Sequence, residues 1–290
     1  MDKLLLHPVT ESQLAGFLRQ PTSTLLLVGS AGSGKSAIAY ELISGLLGIR
    51  AQSLSDYPYF FHIQKPDDKN EIPIDDIREL IHKLRLKVPT ESTNAISRSV
   101  FIEDAHNLSG EAQSALLKIL EEPPAATVFV LGVTTEDSIL PTVVSRSQRI
   151  SILPPTIEQS LEFHRDYPKR QVESSWRLSR GSAGLQAALL LDSEHPLKNA
   201  VDDAKRFLSQ TAYQRLLMLK RINDKAEFGL FLDALGRVLA ALQTESIRKG
   251  SLSQQRLLTA RRVLDKAITY HDSNVNNRLI RLMLATDLTL

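Results

Sequence analysis

The sequence predicts an α/β domain built on a parallel sheet, followed by an all-helical C-terminal part. Three observations predict it. Residues 29–36 read GSAGSGKS, a complete G-x-x-x-x-G-K-[ST] pattern directly after the apolar run Leu25, Leu26, Leu27, Val28. Short β-branched or aromatic runs then alternate with helical stretches to about Pro155. From Leu197 onward helical periodicity dominates, with few strand signals.

The apolar run reads as a buried strand and the glycine-rich stretch as the turn that leaves it. Gly29, Gly32 and Gly34 let the backbone wrap closely around an anion without Cβ clashes, so converging N–H groups can meet triphosphate oxygens. Residues Gly29, Ser30, Ala31, Gly32, Ser33, Gly34, Lys35 and Ser36 form the candidate ATP cradle. Lys35 would reach the β- and γ-phosphates, and the Ser36 hydroxyl would ligate Mg²⁺. Ile38, Ala39, Leu42, Ile43, Leu46 and Leu47 follow at helical spacing, so a helix N-terminus points its partial positive charge at the same anion.

Residues 59–63, 99–102 and 127–133 are the next strand candidates. The dense aromatic run Tyr57, Tyr59, Phe60, Phe61 is better explained by a buried strand than by a base platform. Between the first two strands, Ile74, Ile77, Leu80, Ile81 and Leu84 make an apolar helix face, opposite an i, i+4 Glu79–Lys83 pair. Asp75 and Asp76 suit that helix start. Ser109 can cap the following helix, whose stripe is Ala112, Ala115, Leu116, Ile119 and Leu120 and which Pro123 and Pro124 stop. After a strand at 149–152, Leu153, Pro154 and Pro155 mark a boundary. Residues 157–192 read as short helices separated by Gly181 and Gly184, with Trp176 in a core role beside Leu178. Helices at 256–270 and 275–284 are joined by His271, Asp272, Ser273 and Asn274.

At 290 residues with 42% hydrophobic side chains, the chain can build about two domains with real cores. The absence of cysteine excludes disulfides, thiolate zinc sites and cysteine nucleophiles, leaving oxygen or imidazole ligands for any metal. Mg²⁺ fits that restriction, and no zinc is expected. No apolar run approaches a membrane span, and the N-terminal MDKLLLHPVTESQL has too short an apolar stretch for a secretory signal; a cytoplasmic protein with no membrane partner is expected. Net charge is only +2, yet residues 201–290 hold 15 Lys and Arg against 9 Asp and Glu, a mildly basic helical surface.

A phosphate loop needs a carboxylate at the end of a neighbouring strand to hold Mg²⁺, and Val100, Phe101, Ile102, Glu103, Asp104 supplies it. Here the sequence resembles a family. SVFIEDAHNLSGEAQSALLKILEEPP (99–124) is similar to the hyd-hyd-D-E-x-H…N-A-L-L-K-x-L-E-E-P-P stretch of bacterial clamp-loader subunits. IPIDDIRELIHKLRLKV (72–88) resembles their I-D-x-I-R-E-L segment, and Ser145, Arg146, Ser147 stands where they carry S-R-C. LSRGSAGLQAALL (178–190) looks like a G-S-P-G-x-A-L lid segment, and LLTARRVLDKAITYHDSNVNNRLIRLML (257–284) like a collar.

The resemblance implies an AAA+ P-loop domain at 1–155, a helical lid at 156–196 and a helical collar for oligomerisation at 197–290. Implied partners are the other clamp-loader subunits in a pentameric ring, a sliding clamp, and primer-template DNA held through its phosphates. The implied role is loading the clamp during DNA replication by the polymerase III holoenzyme. Arg146 would reach in trans into the neighbouring subunit's nucleotide site, where an arginine finger is worth about 10³–10⁵ in rate. Thr134 matches the position that senses the γ-phosphate, and reads equally as a strand-end threonine making a local hydrogen bond.

Departures from the family pattern imply weak or absent intrinsic ATPase. The acidic pair is Glu103 then Asp104 rather than Asp then Glu. Glu103 can still serve Mg²⁺, but Asp104 is a weak base candidate, pulled back by about 1 Å, a misplacement that can cost on the order of 10² in rate. Gly184 stands where hydrolysing members carry a sensor arginine. The family's cysteine zinc module is absent, which argues against the tau and gamma subunits. His106 reads as a hydrogen-bonded structural histidine, and Glu121 and Glu122 as a solvated charge run. Three functions stay open: a subunit acting mainly through Arg146, one that turns over ATP itself, or another AAA+ DNA-remodelling ATPase such as a helicase loader or branch-migration motor.

Overall fold

The chain divides into two compact units, residues 1–187 and 188–290. The computed structural model describes residues 4–66, 68–85, 96–192, 194–222, 224–249, 254–273 and 275–288. Asn274, expected in a helix connection, and residues 86–88 of the upstream family segment lie outside them.

Unit 1 begins with α1 (Pro8–Arg19), which the sequence reading passed over. Its signals are Pro8 in the first turn and the buried Leu14 and Phe17 three residues apart. Thr10 on this helix is fully buried; it donates to the Ser151 carbonyl at 3.0 Å and accepts from Leu153 N–H at 3.1 Å. The expected strands follow as β1 (Thr24–Val28), β2 (Phe60–Ile63), β3 (Arg98–Ile102), β4 (Thr127–Val133) and β5 (Gln148–Ser151). All pair in parallel, in the order β2-β3-β4-β1-β5. Parallel neighbours require crossovers, and the helices that make them cover both faces of the sheet, which is why β3 and β4 are buried at every position. The aromatic run is the exception: β2 is an edge strand whose four residues are all half-buried.

α2 (Lys35–Leu47) leaves the glycine-rich turn and packs with α1 against one face, where Phe17, Leu25, Leu27, Ile38, Leu42, Phe101 and Ile150 meet. α3 (Ile74–Leu84) and α4 (Gly110–Glu121) cover the other face with Ile77, Leu80, Ala112, Leu116 and Leu120. Glu79 and Lys83 pair at 2.7 Å on the wet side of α3, and Lys83 holds the Glu79 carboxyl below its ordinary range. Ser109 caps α4 by accepting from Ala112 N–H. The buried Gln113 then clips α4 to the start of the short α5 (Pro141–Val144), donating to the Leu108 carbonyl and accepting from Leu140 N–H at 2.9 Å.

Beyond β5, α6 (Ile157–Phe163), α7 (Lys169–Ser179) and α8 (Ala183–Leu191) form the predicted short helices. The break between α7 and α8 lies at Arg180 and Gly181, both left-handed, while Gly184 falls inside α8 rather than separating helices. Trp176 is half-buried and donates its indole N–H to the Pro155 carbonyl at 3.0 Å, so the diproline is held by α7. Buried Gln186 reaches Ser160, Ser175 and the Val172 carbonyl, fastening α8 to α6 and α7.

Unit 2 contains α9 (Pro196–Ser209), α10 (Ala212–Leu219), α11 (Lys225–Lys249), α12 (Gln254–Asp272) and α13 (Asn277–Asp287). α11 packs against α9 and α12, and α13 against α10 and α12. His271 and Asp272, expected in a connection, lie in the last turn of α12, and α13 starts two residues late because Asn276 caps it. Arg215, 7% exposed, donates to the Phe207, Leu208 and Leu288 carbonyls and lies over the Phe207 ring. No helix among the described residues is long and apolar enough to cross a membrane.

Candidate functional site

Parallel strands bring their C-terminal ends to one edge, so the turn after β1 and the residues after β3 and β4 converge there. Gly29 N–H donates to the Val133 carbonyl, tying the loop to the end of β4. Gly32 and Gly34 hold φ of +75° and +90°, the left-handed region that the turn demands. Lys35, 7% exposed, spans the loop by donating to the Gly29 carbonyl at 3.1 Å and the Ser30 carbonyl at 3.4 Å. Ser33 Oγ is buried without a hydrogen-bond partner, a polar atom left free within the loop.

Glu103 and Asp104 occupy the expected position after β3 but do different things. The Ser36 hydroxyl donates to Glu103 Oε1, bringing together the two oxygen ligands expected for Mg²⁺. Asp104 turns into the left-handed region (φ 48°) and stands 3.6 Å from Lys35 Nζ as its counter-ion. Thr134 follows β4 directly at the same edge. A hydroxyl, a carboxylate, a buried lysine and a free loop hydroxyl fit an Mg²⁺–triphosphate group. His106 departs from expectation: its Nδ1 is buried without a hydrogen-bond partner.

Sequence reasoning missed two features. His62 on β2 donates through Nε2 to the other Glu103 oxygen, Oε2, at 3.0 Å. No local signal marks it, because the contact is made across two strands. The other is the seat of α8 on the loop. Leu185 N–H donates to the Gly32 carbonyl at 2.9 Å, and the Ser30 and Ser182 hydroxyls are 3.4 Å apart. A Cβ at Gly184 would stand 2.8 Å from the Gly32 oxygen and 3.2 Å from Gly34 Cα, so only glycine fits. Gly184 admits the helix to the loop.

Arg146 follows α5 and is more than a third exposed. Its guanidinium pairs with Glu121 at 2.7 Å and donates to the Thr142 carbonyl at 3.0 Å. Glu121 is thus an ion-pair partner rather than only part of a solvated run.

A five-stranded parallel sheet in this order, with a phosphate loop after its β1 and a carboxylate after β3, is the AAA+ class of P-loop fold. A DNA polymerase III gamma-subunit-related protein from Thermotoga maritima shares it with a TM-score of 0.62 at 20% identity, over 97% of this chain and 98% of that one. The family "DNA polymerase III, delta subunit" matches residues 17–156. DNA polymerase III subunit delta′ of Escherichia coli K12 is 29% identical over 246 residues, 77% of this chain and 72% of that protein. The Pseudomonas aeruginosa subunit delta′ is 30% identical over 189 residues, and the chain spans only 56% of its length. The chain is similar to the delta-prime subunits of DNA polymerase III clamp loaders over most of its length.

Proposed function

We propose that the chain works in a pentameric clamp-loader ring with other clamp-loader subunits, placing a sliding clamp on primer-template DNA, and that Arg146 is its main catalytic contribution. In this reading residues 156–196 act as lid and 197–290 as the collar that joins the ring. The observation that carries it is the surroundings of Arg146. Its partners Glu121, Thr142 and Ser145 all lie outside the phosphate loop, and the guanidinium is exposed where a neighbour can receive it.

Residues 29–36 bind ATP, with Lys35 exchanging its carbonyl contacts for β- and γ-phosphate oxygens. Mg²⁺, held by Ser36 and Glu103, would neutralise charge on those phosphates. Asp104 must leave Lys35 before it can orient water, so hydrolysis at this site is slow. In the neighbour's site Arg146 donates to the transferring γ-phosphoryl group, stabilising charge that grows in the transition state.

The test is the ATPase rate of the reconstituted ring carrying Arg146→Ala in this chain. A loss of about 10³ or more is expected; an unchanged rate refutes the assignment. Self-hydrolysis is favoured by the Ser36–Glu103 contact. It requires that the purified chain alone turn over ATP and that Lys35→Ala abolish this.

A further inference from the structure

His62 belongs to a closed side-chain circuit that no motif announces. Ser36 and Tyr40 lie one turn apart on α2 and therefore share a face. Ser36 donates to Glu103 Oε1, His62 Nε2 donates to Glu103 Oε2 at 3.0 Å, and the Tyr40 hydroxyl hydrogen-bonds His62 Nδ1 at 3.3 Å. The Glu103 carboxylate only accepts, so Nε2 is the donating nitrogen, and the other ring nitrogen, Nδ1, is the one that faces the Tyr40 hydroxyl. The ring is also fixed in orientation. It stacks on Phe101, its register partner across the sheet, at 5.1 Å and 9°, lies nearly parallel to Phe60 at 6.2 Å, and meets the edge of Tyr40 at 5.8 Å.

We propose that His62, backed by Tyr40, is a positioning residue that aims the Glu103 carboxylate at the cation; this rests on the reading of residues 29–36 as an Mg²⁺–ATP site. With Oε2 held by His62, Oε1 is the oxygen presented beside the Ser36 hydroxyl. Mg²⁺ demands near-ideal octahedral geometry, so a carboxylate free to rotate is a poorer ligand than one held from behind. An edge strand suits this task, because β2 has one face of its register on β3 and its C-terminal end at the phosphate edge.

The experiment is a Mn²⁺ titration of the full chain with ATP, followed by the electron paramagnetic resonance of free Mn²⁺. Affinity for a fluorescent ATP analogue is measured in parallel in chelator. Removing the partner of a metal ligand typically costs 10–100-fold in metal affinity. His62→Ala and His62→Phe are expected to weaken Mn²⁺ binding at least tenfold and leave metal-free nucleotide affinity unchanged. The phenylalanine keeps the stack, so its loss is not one of folding. His62→Gln keeps an N–H donor at the Nε2 position and is expected to restore binding, with Tyr40→Phe in between. Wild-type Mn²⁺ affinity in His62→Phe overturns the proposal, as does a glutamine variant no better than alanine. If Mn²⁺ leaves the nucleotide affinity of the unaltered chain the same as in chelator, the metal-site reading itself fails, and His62 with it.

Discussion

Replacing Gly184 with alanine turns the seat of α8 on the phosphate loop into a question of sign. At an ordinary helical position this change removes backbone freedom from the unfolded chain and stabilises by about 0.5–1 kcal/mol. Here the new Cβ would lie 2.8 Å from the Gly32 carbonyl oxygen and 3.2 Å from both Gly34 Cα and Gly34 N. These are backbone atoms of a loop already held by Lys35 and by Gly29 N–H, so they cannot swing away as a side-chain tip could. The helix must therefore rise by several tenths of an ångström. Overpacking of that kind costs about 1–3 kcal/mol. Losing the Leu185 N–H to Gly32 carbonyl bond adds about 1 kcal/mol. Subtracting the helix gain leaves a net loss of about 1–3 kcal/mol, or a fall of about 3–10 °C in melting temperature for a unit of this size. Thermal unfolding followed by circular dichroism reads it directly. A melting temperature equal to or above that of the unaltered chain would refute the seating of α8 on the loop.

Glu121→Gln is expected to move the melting temperature by no more than about 4 °C, because exposed ion pairs contribute about 0–1 kcal/mol, and to leave ring ATPase intact by freeing Arg146; a loss as deep as that of Arg146→Ala would assign Glu121 a positioning role instead. Arg215→Ala leaves the Phe207, Leu208 and Leu288 carbonyls without their donor and should lower the stability of unit 2 by about 2–4 kcal/mol, measured by urea unfolding. Burial pushes the His164 imidazole below its ordinary value of 6.5, and its Nε2 has no partner. The unfolded chain therefore takes up this proton first, so stability falls as pH drops through 6.5 and levels off below the folded value. Urea midpoints between pH 7.5 and 5.5 should show that slope, flattened in His164→Leu.

The loop, the strand and helix that flank it, the acidic strand end and the helical C-terminal part were legible because each is written in local spacing. A glycine pattern, a run of four apolar residues and an i, i+4 stripe all refer to neighbours within about two turns of chain. Ser36 and Glu103 could be paired from sequence because strands in a parallel sheet end at a common edge, and the structure brings them into contact. α1 is equally local, carrying the Pro8 and Leu14–Phe17 signals in plain form.

What the tertiary structure decided is how distant segments modify those parts. His62 meets Glu103 across 41 residues, Arg146 meets Glu121 across the α4–α5 packing that Gln113 fixes, and Gly184 meets Gly32 from the far end of the unit. Nothing in the local window of any of these residues gives the contact it makes. Their contacts depend on closing loops tens of residues long, and that closure is driven by burial of the whole core rather than by any preference of the residues that finally touch. The sequence by itself determined the glycine-rich turn and the residues that make it; only the packed fold decided which side chain contacts the Glu103 carboxylate and which helix rests on the loop.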